Sequence, residues 1–205
     1  MLATMANAMK LPRPATEADL LALPDEGRGY ELIDGELVEK HGGLRHGRAQ
    51  IRLGQRLEPY DRASGGGDRP GGWTFAAEQL VRFASGRTLR PDVTGWRRER
   101  LPELPADEDA VVLVRPDWIA EIVSRSNAGN DLVKKRRIYY QHGVPHYWII
   151  DPRDEILTVL RWTPEGYTEV LVAPRDERVR AEPFEAVEFL VGVLFGDDDD
   201  PGGEG

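Results

Sequence analysis

Asp117–Ser124 reads DWIAEIVS, a near-continuous apolar run of strand length with one ionisable group, Glu121, near its middle. Such a run is expected of a central strand covered on both faces. Alternation places Glu121 on the same face as Ile119 and Val123. An ionised carboxylate in so apolar a strand is costly unless a cation pairs with it or a metal binds it. From this residue alone, a structural Arg or Lys partner and a bound cation are equally good readings.

Working outward, Asn130 or Asp131 caps a helix predicted through Tyr140 and closed by His142-Gly143. Val144-Pro145 leads into a short apolar strand, Tyr147–Ile150. Ile156–Trp162 and Tyr167–Val172 form a predicted hairpin around Pro164–Gly166, and Val187–Phe195 is a short apolar closing segment. Upstream, Leu89–Trp96 reads as a strand interrupted at its start by Pro91, with strands Trp73–Glu78 and Gln79–Phe83 before it and a turn at Ser85-Gly86. Pro102–Asp109 is an acidic, proline-containing loop, and Ser64–Gly72 (SGGGDRPGG) is a flexible one.

Leu44–Arg62 reads as a helix. Arg45, Arg48, Arg52 and Arg56 share one stripe, while His46, Gln50, Leu53 and Leu57 lie opposite. The arginines suit a solvated face better than a phosphate track. His46 is turned inward, as a core histidine or a group near a site. Tyr30–Lys40 (YELIDGELVEK) gives two alternating runs about Asp34-Gly35, a hairpin signal. Thr16 is the predicted N-cap of a helix Glu17–Leu23 that Pro24 ends. The order of elements means an α/β or α+β sheet with helices packed on it. One domain, residues 14–195, is expected between a disordered lead, 1–13, and a disordered acidic tail, 196–205.

Composition narrows the function classes. The chain has 205 residues and a net charge of −9, and GDDDDPGGEG (Gly196–Gly205) alone holds four Asp and one Glu. The acidic balance weakens nonspecific DNA binding but leaves room for a local phosphate site. Without cysteine there are no disulfides or thiolate metal sites, which fits a reducing compartment. No apolar run approaches the ~20 residues of a spanning helix. The opening MLATMANAMKLPRP lacks the pattern of a signal peptide, so a cytoplasmic protein away from membranes is expected. Only four of the 27 basic residues are lysines, and two of them are adjacent, Lys134-Lys135. A lysine retained in so arginine-rich a chain points to a need for compact charge or a tunable proton.

Asp92 follows Pro91 where a strand starts, a position at which proline removes a ladder donor. An Asp and a Glu on neighbouring strands make a hard, oxygen-rich site of the kind Mg²⁺ uses. Lys135, on the helix after Glu121, could reach the same sheet edge, orient or help deprotonate an attacking water and offset charge on a phosphate. Alternative readings weigh against several neighbours. Glu31 and Glu36 could be exposed strand residues, and Tyr139, Tyr140, Tyr147 and Trp148 read as core. Ser124 and Ser126 lack a histidine placed to activate them.

In the order strand-Pro-Asp, then strand-Glu, the chain resembles the PD-(D/E)XK nuclease superfamily and, more narrowly, the Uma family of restriction-endonuclease-like proteins. The resemblance rests on YELIDGELVE (Tyr30–Glu39), RPDVTGWRRERLP (Arg90–Pro102), DWIAEIVS and DLVKKRRIYYQHGVPHYWIIDP (Asp131–Pro152), and spans about Thr16 to Val172. It implies a restriction-endonuclease-like mixed β-sheet flanked by helices, and a Mg²⁺- or Mn²⁺-dependent endonuclease acting on DNA, with a homodimer left open. Asp92 and Glu121 would be metal ligands, with the Ile122 carbonyl completing the set. The superfamily lysine would fall two residues after the glutamate, where this chain has Val123; Lys135 takes that role from the following helix, with Lys134 in reserve. Glu36 would be the additional acidic residue of the first motif, and His46 a further site residue. Two other functions remain: a catalytically inactive nuclease fold kept as an interaction module, and a metal hydrolase of a small phosphorylated substrate.

Overall fold

A computed structural model describes residues 12–62, 64–65, 69–84, 86–106, 111–124 and 130–198 of the chain. Two mixed sheets carry the fold. The larger has six strands in the order β11-β10-β9-β8-β6-β3, and the smaller has five in the order β2-β1-β5-β4-β7. The larger comprises β3 (Trp73–Ala77), β6 (Val93–Arg97), β8 (Trp118–Ile122), β9 (His146–Asp151), β10 (Ile156–Thr163) and β11 (Gly166–Pro174). The smaller comprises β1 (Tyr30–Ile33), β2 (Glu36–Glu39), β4 (Leu80–Ala84), β5 (Arg87–Leu89) and β7 (Val111–Val112). A two-stranded ladder, β12 (Arg178–Val179) with β13 (Phe189–Leu190), closes the chain before a 3-10 segment, Val191–Phe195.

Four helices are described: α1 (Glu17–Leu21), α2 (Pro24–Gly27), α3 (Leu44–Leu57) and α4 (Asn130–Gln141). Thr16 and Asp19 cap α1 reciprocally, as the sequence pattern implies, but the helix stops at Leu21. α2 is a single turn in which Asp25 and Glu26 take positive φ. α3 passes at Glu58 into a 3-10 turn, Glu58–Tyr60, so the helix is shorter than its periodicity suggested. The β1–β2 hairpin turns at Asp34 (φ 50°) and Gly35 (φ 81°), the left-handed pair that an Asp-Gly type I′ turn requires.

The strand DWIAEIVS is central, with β9 parallel on one side and β6 antiparallel on the other. Helix α4 connects β8 to β9, the crossover that a parallel pair demands. The two faces of β8 feed different cores. Trp118, Ala120 and Ile122 join Ala49, Leu53 and Leu57 of α3, whereas Ile119 joins Ile138 and Tyr139 of α4. Trp118 packs edge-on against Trp148, Phe75 and Phe184, with ring centroids 5.3, 5.9 and 5.2 Å apart. Tyr139, Tyr147 and Trp148 are fully buried core residues.

Leu89–Trp96 is not one strand. Leu89 ends β5 in the smaller sheet, Val93 starts β6 in the larger, and Arg90-Pro91-Asp92 crosses between them. Proline has no amide hydrogen to offer a ladder, so the break falls where the ladder could not continue. Residues 196 and 197 make contacts with the rest of the chain. Asp197 donates its amide to Gly192 and forms an ion pair with Arg175, while Arg48 reaches the Gly196 carbonyl. Most of the predicted lead, and residues 199–205 of the tail, lie outside the described residues, as do Ser85, Ser126 and residues 107–109 of the acidic loop.

Candidate active site

The Arg90–Asp92 crossing brings the two sheets together, and side chains from five elements or their flanks meet there. A small pocket of about 30 Å³ is lined by Lys40, His46, Asp92, Glu121, Ile122 and Lys135, among others. That volume suits one or two water-sized bodies.

Asp92 is 1% exposed, and its two carboxylate oxygens are treated differently. Oδ2 accepts the Ile122 amide at 2.5 Å and lies 3.1 Å from His46 Nε2. Among the described residues Oδ1 accepts no hydrogen bond, and it faces the Lys40 ammonium at 2.5 Å. The Asp92 carbonyl accepts the Gln50 side-chain amide at 2.6 Å, which fixes the backbone of the crossing. Burial alone would raise the Asp92 carboxyl; the charge of Lys40, with the hydrogen bond and charge of His46, outweighs it and holds the group well below the usual carboxylate range.

Glu121 is 4% exposed and points, as alternation requires, to the α4 side of the sheet. Lys135 and Tyr139 stand one helical turn apart on α4 and therefore share a face. Lys135 Nζ lies 3.3 and 3.2 Å from the two Glu121 oxygens, and the Tyr139 hydroxyl donates to Oε1 at 2.6 Å. Burial and donor geometry oppose each other here. Burial, against the pull of Lys135 and with the repulsion of Asp92, pushes the Glu121 carboxyl up to about 8. Burial and Glu121 push the Tyr139 phenol well above its usual value, so it stays a neutral donor.

Lys135, only 2% exposed, is also 2.8 Å from Glu31 Oε2. Glu31 is fully buried and takes the Arg90 amide on Oε1 at 2.8 Å, which corrects its reading as an exposed strand residue. Lys40 reaches three acceptors: Asp92 Oδ1, Glu78 Oε2 at 2.8 Å and the Arg90 carbonyl at 2.7 Å. Burial penalises its ammonium, yet Asp92, Glu121 and Glu31 raise the group above the ordinary lysine value.

The structure thus brings Asp92, Glu121, Ile122, Lys135 and His46 to one pocket. Glu36 is not among them: it sits at the start of β2 with its side chain 63% exposed, 3.9 Å from Lys134. The acidic residue that β1–β2 delivers is Glu31, on the inward face of β1. Lys134, 48% exposed, points away from the pocket that Lys135 lines. Among the described residues, the group whose ligand atoms all lie within 4.8 Å of one another is His46, Glu78 and Asp92. Glu121 stands outside that group, its carboxylate engaged by α4.

Glu31, Lys40 and Glu78 were missed from sequence. Signals existed for two of them. Lys40 is another of the four lysines in an arginine-rich chain, and Glu31 alternates onto the same face of β1 as Ile33. Glu78 sits in the β3–β4 turn with φ at 55°, which sequence alone does not reveal.

The donors fit a hard divalent cation. A buried carboxylate oxygen without a hydrogen bond, beside further carboxylates and an imidazole, is the chemistry that Mg²⁺ or Mn²⁺ takes. The Uma2 family model, described as "Putative restriction endonuclease", matches residues 17–192. A crystal structure from Anabaena variabilis, described as "a putative nuclease belonging to DUF820", is similar in fold. Its TM-score is 0.68 at 21% identity, covering 89% of this chain and 98% of that one. No curated protein matches this chain.

Proposed function

Because this chain belongs to the Uma2 family, we propose that it is a Mg²⁺- or Mn²⁺-dependent endonuclease that hydrolyses phosphodiester bonds of DNA. The observation that carries the reading is Asp92 Oδ1, a buried oxygen that accepts no hydrogen bond among the described residues, at a pocket that Glu121, His46 and two lysines share. A divalent cation there would polarise the phosphate and offset charge on the attacking and leaving oxygens. Asp92 would hold the ion, together with Glu121 and the Ile122 carbonyl or with His46 and Glu78. The Ile122 amide and His46 hold the second oxygen of Asp92, so the first is aimed without rotational freedom. Lys135 and Tyr139 hold Glu121 against β8, and Lys135 places a fixed positive charge beside the reacting phosphate. Arg45 and Arg48 are exposed on the turn of α3 that carries His46, where backbone phosphates could be met.

The test is cleavage of plasmid DNA with Mg²⁺ or Mn²⁺ against a chelator control. Asp92→Asn is expected to abolish cleavage. Glu121→Gln and Glu78→Gln rank the two ligand sets by loss of metal affinity. No cleavage with either ion, or cleavage that survives Asp92→Asn, overturns the reading. The inactive interaction module remains the second reading, favoured by one observation: both lysines already neutralise the buried carboxylates. A protein that binds neither ion would support it.

A further inference from the structure

Lys40 is not used by the proposed reaction, yet it has the closest ionic contact in the pocket. Of the three members of the converging ligand group, it touches two. Its ammonium is 2.5 Å from Asp92 Oδ1 and 2.8 Å from Glu78 Oε2, while the third, His46, is engaged with the other oxygen of Asp92. Asp92 has one oxygen left for an incoming cation, and that oxygen is the one Lys40 covers. The side chain comes from the end of the β1–β2 hairpin, and the Arg90 carbonyl accepts a further hydrogen bond from it at 2.7 Å. Lys40 also borders a second, open groove that Arg28, Gln50, Glu78 and Arg90 line. An ammonium leaving Asp92 therefore has a neighbouring space to enter.

We propose that the Lys40 ammonium is an internal cation of the Asp92–Glu78–His46 cradle, and that a divalent ion and Lys40 compete for the same carboxylate oxygen. The inference rests on the metal-dependent reading of the site. Its physical basis is charge. Two like charges about 4 Å apart in a partly buried site repel strongly, so a dication cannot take Asp92 Oδ1 while the ammonium stays 2.5 Å from that oxygen. Lys40 is thereby a positioning residue: it keeps the Asp92 carboxylate ionised and aimed before an ion arrives, and it weakens the ion's apparent affinity by the work of its own displacement. Lys135 does not share this role, because its acceptors are Glu31 and Glu121, outside the cradle.

The experiment is calorimetric titration of the full chain with MnCl2 alone. Lys40→Met is expected to bind Mn²⁺ at least tenfold more tightly than the unaltered protein, and Asp92→Asn to lose binding. Equal affinities for the unaltered protein and Lys40→Met, both lost in Asp92→Asn, overturn the competition and leave the metal site standing. No binding by any variant sinks the metal-dependent reading, and the competition with it. Should Lys40→Met not fold, Lys40→Gln keeps a donor for the Arg90 carbonyl while removing the charge. The unaltered protein offers an independent readout. With lysine labelled at ¹³Cε, its four lysines give a simple spectrum, and MgCl2 is expected to move the Lys40 resonance. A resonance that stays in place while calorimetry reports Mg²⁺ binding also overturns the competition.

Discussion

Replacing Lys135 by Met removes the cation from the most buried ionic cluster in the described structure. The ammonium lies 2.8 Å from Glu31 and 3.2 Å from Glu121, at 2% exposure. The two carboxylates then differ in what they lose. Glu121, already pushed up to about 8, can take a proton near neutral pH and keeps the Tyr139 hydroxyl. Glu31 Oε2 accepts no hydrogen bond among the described residues and loses its cation outright. An uncompensated buried charge of this kind costs about 3–5 kcal/mol, a large share of the roughly 5–15 kcal/mol that holds a domain together. In a chain of this size the midpoint of thermal unfolding should fall by about 6–20 °C. Urea unfolding at pH 7 measures the loss directly. Adding Glu31→Gln to Lys135→Met should restore most of it, since an amide needs no counter-charge. A loss below about 1 kcal/mol for Lys135→Met, or no recovery in the double variant, would refute the account of Lys135 as the cation that makes burial of Glu31 affordable.

Glu36→Gln is expected to leave DNA cleavage unchanged and to shift stability by less than about 0.5 kcal/mol, because an exposed pair at 3.9 Å contributes little; cleavage assays and urea unfolding check both. His146 supplies a pH test. Burial, with Arg97 and Arg161 adding to it against Glu185 and Asp117, lowers its imidazole to about 4. The unfolded chain therefore takes the proton first, near the ordinary value of about 6.5, and folding is progressively opposed as pH falls from there toward 4. The loss is at most about 3 kcal/mol, and His146→Asn should flatten that part of the stability profile. An unchanged slope in His146→Asn would show that other groups govern the acid limb. In the aromatic core, Trp148→Ala should cost about 3–5 kcal/mol by urea unfolding, since the ring is fully buried and its Nε1 donates to the Glu182 carbonyl at 2.6 Å.

Much of this fold was legible because local chemistry and long-range packing agree. DWIAEIVS has no polar face to offer solvent, and it lies inside the larger sheet with neighbours on both sides. Asp34-Gly35 turns where its dihedral freedom allows, and the α3 periodicity sends His46 inward and Arg45 and Arg48 outward, with Arg52 and Arg56 half-buried. The division into two sheets was not legible. Pro91 signals an interruption between Leu89 and Val93 but not a change of sheet, which only the pairing partners reveal: Val81 for Leu89, and Ala77 and Ala120 for Val93. The same limit explains Glu31 and Glu36. Both lie in YELIDGELVE and share one face of the hairpin, since Glu31 alternates with Ile33 and Ile33 pairs with Glu36. Glu31 is buried and Glu36, beside the turn, is exposed, and how far along that face the cover extends is set by tertiary packing.

The choice of lysine over arginine follows from the geometry of the two ionic contacts. Lys135 fits between carboxylates from β1 and β8, with its charge concentrated on one nitrogen that reaches both. A guanidinium is planar and carries five donors in a fixed fork, so in the same space it would leave donors buried without acceptors. Lys40 donates to Glu78 Oε2 and the Arg90 carbonyl while its single charged nitrogen faces Asp92 Oδ1. Elsewhere in the chain the exposed pairs are made mostly by arginine, where a bidentate fork on a carboxylate is an advantage, as at Arg13–Asp19 and Arg153–Asp151. Lys40 and Lys135 therefore stand where positive charge must be small. They share such a place at the junction of the two sheets, and between them they neutralise the carboxylates that a metal ion would otherwise have to meet.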